Sequence, residues 1–207
     1  MRALVLVVLL LTTSLSGCVA PEPMLGEPLE PATPSDETPE RMTIVAPTAG
    51  RSVDESAVLD VVASADGNAT LLVWVAAGCS GCHDWTEMIA TARGEGNYTD
   101  LRVVSVHRYP SFEDAGEVID RYGTANTSTE ATWPLLLPDE DAVVVDAATG
   151  RPTDTTLVEA FDNPVTPTLQ VLDGQGHLVW ESRTYWANED VLLEAEQFMH
   201  RLLGVTA

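Results

Sequence analysis

Residues 70–88 read TLLVWVAAGCSGCHDWTEM, and the reading of this stretch decides the rest. Cys79 and Cys82 are followed directly by His83. C-x-x-C-H is the pattern by which c-type haem is attached, through two thioethers and an axial imidazole. C-x-x-C is equally a redox dithiol that a histidine happens to follow. The five residues Cys79 to His83 do not choose between the two.

The flanking text does. TLLVWVA is a near-continuous apolar run rich in β-branched and aromatic residues, the pattern of a strand buried on both faces. HDWTEMIATAR then repeats its apolar residues Trp85, Met88, Ile89 and Ala92 at helical spacing. A buried strand therefore delivers Cys79 to the first turn of a helix, where unpaired backbone N–H groups and the helix dipole favour a negative sulfur. Cys82, three residues on, lies on the same helical face. One thiolate can attack a disulfide and the second can resolve the mixed disulfide that forms. A haem attachment site has no use for such a strand.

Working outward, strands and helices alternate. LRVVSVHRY (101–109) predicts a second buried strand, and SFEDAGEVIDRYG (111–123) a helix capped by Ser111 and closed by Gly123. TWPLLLPDED and AVVVDAATGRP predict short strands, and TTLVEAF a short helix. TPTLQVLDGQGHLVWESR predicts a hairpin turning at Asp173 to Gly176, and NEDVLLEAEQFMHRLL a terminal amphipathic helix. Before the redox stretch, MTIVAPTAGRSV reads as strand and turn, while ESAVLDVVASADGN fits either helix or strand. The pattern is that of an α/β domain with a mixed central sheet.

LLVWVAAGCSGC together with VTPTLQVLDGQGHLV resembles the two signatures of the thioredoxin superfamily, in its membrane-anchored TlpA-like branch. The likeness runs from about Val58 to the C-terminus, and WPLLLPDED resembles an insertion of that branch. It implies a thioredoxin-like fold with helices on both faces of the sheet, and thiol–disulfide exchange with protein substrates. Cys79 would be the nucleophile and Cys82 the resolving thiol. Thr166 and a cis Pro167 would form a wall on which an extended substrate docks as an added strand. Protein thiols and disulfides are the implied partners, with a membrane redox partner or a cytochrome-maturation client among them. No cofactor and no metal is expected, because the dithiol itself carries two electrons.

The chain departs from the family in several places. Gly78 stands where a tryptophan is usual, and Ser80-Gly81 replaces Gly-Pro between the cysteines. Val73 stands where thioredoxins carry a buried acid, for which Glu55, Asp60, Asp84 or Glu87 are candidate substitutes. The path from Cys79 to Pro167 exceeds that of a minimal thioredoxin, and the excess is assigned to 126–164. His83, one helical turn after Cys79, is expected to face solvent; tuning of the Cys79 pKa is its functional alternative. Trp74 and Trp85 are expected in the core. Two other classes stay open: a surface binding module with a static disulfide, and a covalent haem carrier with Met199, His107 or His177 as sixth ligand. Copper delivery would also use His177.

The first eighteen residues, MRALVLVVLLLTTSLSGC, have the form of a secretory signal, and LSGC resembles a lipobox. Cleavage after Gly17 would leave Cys18 to be lipidated, anchoring the chain outside the cytoplasmic membrane and leaving Cys79 and Cys82 as one pair. Val19 to Arg41 carries six prolines and six acidic residues, the composition of an extended tether. The folded domain is expected from residue 42 to 207. The formal net charge is −22, from 32 acidic residues against 10 basic ones, every one of them arginine. Such a surface repels nucleic acid, which excludes that class of partner, and it resembles the surfaces of proteins from salt-loving microbes. Asn68, Asn97 and Asn126 head N-x-S/T sequons, candidate glycosylation sites on an exported chain.

Overall fold

A computed structural model describes residues 38–202 and Gly204. Cys18 and the signal-like segment lie outside the described residues, as does most of the proline-rich stretch. In chain order the elements are β1 (Met42–Thr43), β2 (Val45–Pro47), β3 (Val58–Asp60), β4 (Thr70–Val75), α1 (Ser80–Gly94), β5 (Val103–His107) and α2 (Ala115–Tyr122). There follow β6 (Leu135–Leu136), β7 (Val143–Asp146), β8 (Arg151–Thr156), α3 (Leu157–Ala160), β9 (Thr168–Leu172), β10 (Leu178–Ser182) and α4 (Glu189–Leu202).

β4 is the central strand of a five-stranded sheet ordered β10-β9-β4-β5-β6. It runs parallel to β5 and antiparallel to β9, so the sheet is mixed. All six β4 residues are buried, because each face of the sheet has its own core. Leu71, Val73 and Val75 pack on one side with Cys82, Trp85 and Ile89 of α1, Val118 and Tyr122 of α2, and Leu192, Ala195 and Met199 of α4. Leu72 and Trp74 pack on the other with Ile44, Leu59, Val144, Leu157 and Phe161. This two-sided burial is why β4 reads as an unbroken apolar run. Helices lie on both faces, but unequally: three against one core, and only the short α3 against the other. That second face is roofed mainly by two small sheets, β1-β7-β8 and β2-β3.

Two expectations are resolved or revised. ESAVLDVVASADGN forms the short strand β3, paired with β2, and then a 3-10 turn at Ala63–Ala65. α2 starts from Asp114, not Ser111: the Asp114 carboxylate accepts the Glu117 N–H while Glu117 reaches back to the Asp114 N–H, a reciprocal capping box. Gly123 closes the helix as expected. The residues before Asp114 are thereby left in a loop, free to reach back toward the C-terminal end of β4. The stretch 126–164 carries β6, the β7–β8 ribbon and α3. Pro152 within β8 is accommodated because β8 is an edge strand.

Candidate redox site

Beyond Val75 the chain makes a three-residue turn, Ala76 to Gly78, and enters α1 at Cys79. Cys79 is the helix N-cap, and its Sγ accepts the Cys82 N–H at 3.1 Å. The two cysteines form a disulfide with their Cα atoms 5.2 Å apart. They are not equivalent. Cys82 is fully buried, its Sγ 3.8 Å from the Trp74 carbonyl oxygen, whereas Cys79 is half-buried and faces the rim. A partner sulfur therefore meets Cys79 first.

The Thr166–Pro167 peptide bond is cis. Pro167 stands directly beside the cysteine pair: a Cβ built on Gly81 would lie 3.1 Å from Pro167 Cδ and would strike the Tyr185 carbonyl oxygen. Position 81 is glycine because that oxygen occupies the volume a side chain would need. The loop carrying Tyr185 is tied to α1 at two points. Trp85 Nε1 donates to the Thr184 carbonyl at 2.9 Å, and the Ala187 N–H donates to the Asp84 carboxylate at 2.9 Å.

The turn before Cys79 is held from three sides. Tyr122 Oη donates to the Ala76 carbonyl at 2.7 Å. His83 Nε2 lies 2.8 Å from the Ala77 carbonyl, so that nitrogen carries the proton. The Glu113 carboxylate accepts the N–H groups of Ala77 at 2.7 Å and Gly78 at 3.1 Å. Behind Glu113, buried His107 places Nε2 3.5 Å from Oε2, longer than a well-formed hydrogen bond. Burial pushes the His107 imidazole below its ordinary value, although the neighbouring Glu113 charge pulls the other way. Burial also pushes the Tyr122 phenol well above its ordinary range, so it remains a proton donor.

His83 thus corrects the expectation of a solvent-facing side chain. It is half-buried, 5.8 Å edge-on from the Tyr122 ring, and engaged with the turn. Trp74 and Trp85 are core residues as expected, each with its indole N–H satisfied. None of the candidate substitute acids holds the redox turn. Glu55 pairs with Arg102, Asp60 accepts from Thr43 and from the Val62 and Ala63 N–H groups, Asp84 accepts from Ala187, and Glu87 is exposed on α1. Glu113 is the carboxylate that reaches the turn. Sequence reading passed over it, since nothing within its own stretch marks it.

The haem and copper arrangements do not assemble. Cys82 is sealed inside the core and leaves no face for a macrocycle, and His83 Nε2 is turned onto a carbonyl. His107 is buried against Glu113, and Met199 is buried in α4. His177 lies in the β9–β10 hairpin, bonded to Asp173 at 2.8 Å. Leu172 at that end pairs with Thr70, the start of β4, whereas Cys79 follows the strand's other end. A strand of this length separates the two by roughly 17–20 Å. Asn68, Asn97 and Asn126 are all exposed, but Thr70, the hydroxyl residue of the first sequon, is buried in β4.

No protein-family model and no curated protein matches the chain. Solved structures do. A hypothetical protein from Sinorhizobium meliloti 1021 matches with a TM-score of 0.53 at 18% identity, covering 84% of this chain and 86% of that one. The thioredoxin domain of a thiol–disulfide oxidoreductase from Bacteroides vulgatus matches with a TM-score of 0.51 at 16% identity, covering 81% and 99%. The pneumococcal exposed lipoprotein thioredoxin from Streptococcus pneumoniae strain TIGR4 matches with a TM-score of 0.50 at 18% identity, covering 75% and 98%. At these identities the likeness is one of architecture: the chain has the thioredoxin-like fold, with its cysteine pair at the strand-to-helix junction and a cis proline alongside.

Proposed function

We propose that the protein is a lipid-anchored, extracytoplasmic thiol–disulfide oxidoreductase acting on protein substrates. The observation that carries this reading is the asymmetry of the pair. Cys79 is half-buried at a helix N-cap with an N–H directed at its sulfur, Cys82 is sealed beneath it, and Pro167 stands beside both. In the reduced protein the Cys79 thiolate is stabilised by that N–H and by the helix dipole. It attacks one sulfur of a substrate disulfide, forming a mixed disulfide and expelling the other substrate sulfur as a thiolate. Cys82, deprotonated, then attacks Cys79 Sγ. The second substrate thiolate leaves, two electrons have passed to the substrate, and the Cys79–Cys82 disulfide has formed. Oxidation of a substrate dithiol is the same sequence in reverse, and the direction is set by the pair's potential relative to its partner's. Thr166 offers its backbone to an extended substrate segment.

Exposed apolar side chains surround the pair: Phe112 (86% exposed) shares a hollow with Gly78, Val165 (50%) precedes the cis proline, and Tyr185 (46%) and Trp186 (60%) lie on the loop against Gly81. Apolar side chains left in water around a reactive pair suit a protein client better than a small thiol. Anchoring rests on the lipobox-like LSGC and on the lipoprotein description of the pneumococcal neighbour; a Cys18→Ala variant that stayed with the membrane fraction would overturn it. The TlpA-like resemblance favours reduction on behalf of another protein, such as a cytochrome-maturation client. Asn97 and Asn126 are the sequons open to glycosylation in the folded domain.

The test is a pair of variants and a titration. Cys79→Ser abolishes exchange with a protein disulfide, and Cys82→Ser accumulates a mixed disulfide visible on non-reducing gels. Exchange at the wild-type rate in Cys79→Ser would overturn Cys79 as the nucleophile, and a pair whose potential lies below about −300 mV would be a static bridge instead.

A further inference from the structure

The geometry points to Glu113 as a positioning residue that fixes the turn before Cys79 and, through its charge, holds down the thiolate character of that cysteine; this rests on the redox reading above. Glu113 lies in the loop between β5 and α2, and it is half-buried, with 19% of its side chain exposed. Each carboxylate oxygen takes one N–H of the turn, Ala77 to Oε2 and Gly78 to Oε1. A carboxylate receiving two successive backbone N–H groups is an anion held in a small backbone nest. Here the anion comes from the chain itself, immediately ahead of the sulfur that must become an anion. It therefore acts on Cys79 twice over in the same direction. Its negative charge opposes a second negative charge nearby, and it occupies donors that would otherwise add to the positive field at the helix start.

The groups facing Glu113 leave that charge standing. His107, from β5, is the nearest potential counter-ion, and it is buried, with Nε2 lacking a hydrogen-bond partner among the described residues. Tyr122, from α2, spends its proton on Ala76 and carries no charge. His83, from α1, binds the turn through the Ala77 carbonyl. Glu117, Asp120 and Arg121 of α2 line the solvent side of the same hollow, two acids against one base. A thiolate disfavoured in this way makes the reduced pair less stable relative to the disulfide, which is the property of a reductant.

The test compares reduced wild type with Glu113→Gln, which keeps the side-chain shape and removes the charge. The readouts are the pH midpoint of Cys79 alkylation by iodoacetamide and the reduction potential. The midpoint moves to lower pH by roughly half a unit, about a threefold rise in thiolate fraction below the midpoint, and the potential becomes more oxidising. Glu113→Asp, which keeps the charge, stays closer to wild type in midpoint. A Glu113→Gln protein that melts earlier or turns over more slowly at an unchanged midpoint makes Glu113 merely structural and overturns the inference. The alkylation midpoint needs no substrate. A wild type that fails to exchange disulfides thus sinks the redox reading, while an unmoved midpoint sinks the role of Glu113 alone.

Discussion

At Gly81 a single missing side chain shapes the site. The helix could start with proline at this position, as the familiar Gly-Pro pair does, were it not for the Tyr185 carbonyl packed onto it. Glycine here is the consequence of a loop that closes over the cysteines. Gly81→Ala forces that loop or Pro167 to shift, and the expected cost is about 1–3 kcal/mol, read from the urea midpoint. A variant as stable as wild type would mean that the Tyr185 loop does not sit where described. His107 shows the same logic with a titrating group. Its imidazole is buried and lowered, so the unfolded chain binds the proton more readily than the folded one. Stability from this group is present above the free imidazole's range and is lost as pH falls below about 6.5. Urea midpoints of wild type decline from pH 7 to pH 5, and those of His107→Gln decline less over the same window. Equal slopes would assign the acid sensitivity elsewhere.

At the scale of elements, what matters is how short connections are fastened. Arg51 caps and Asp54 ends a 3-10 turn (Ser52–Asp54), and the two bind it to the chain around β6. Asp54, fully buried, accepts from Arg51 and from the Leu135 N–H, while Arg51 donates to the carbonyls of Tyr122, Ala131 and Trp133. Removing Asp54 leaves the half-buried Arg51 without its counter-ion and the Leu135 N–H without its acceptor. Asp54→Ala therefore costs about 3–5 kcal/mol, checked by denaturant unfolding; a loss under 1 kcal/mol would mean that water replaces the carboxylate. The ribbon β7–β8 is held otherwise, by pairing with β1, and Thr153 inside it satisfies the Val144 carbonyl. Helix starts follow local chemistry throughout. Asp114 and Thr156 each form reciprocal caps with a glutamate three residues on, and the first of these moves the start of α2 off Ser111 and releases Glu113 toward the redox turn.

For the molecule as a whole, a formal net charge of −22 over the full chain contrasts with a domain whose redox rim is apolar and aromatic. Those two surfaces suggest different tasks, solvation for the acids and client contact for the rim. Trp186→Ala is expected to raise KM severalfold for a protein disulfide while leaving exchange with a small aromatic disulfide unchanged. A matching loss on both substrates would place Trp186 in the chemistry rather than in docking. The acids repel one another, so melting temperature should rise with added potassium chloride as screening sets in. A flat response from low to molar salt would argue against a surface suited to concentrated salt.

Much of this was legible in the residues themselves. An apolar run of strand length followed by helical spacing places Cys79 at a helix start, since both periodicities act within a few neighbouring residues. The alternation of elements implied the mixed sheet for the same reason, and the proline before the hairpin, through its family likeness, marked the cis peptide bond that stands beside the cysteines. What stands around the redox turn was decided only in three dimensions. Glu113, Tyr122 and Thr184 reach their partners across 36, 46 and 99 residues of chain. In each case the partner is a backbone amide or carbonyl, or a side chain meeting one. A backbone group is the same at every position, so no residue pattern can announce which carboxylate or phenol will find it. The pairing of β4 with β5 on one side, and with β9 and then β10 on the other, makes that selection.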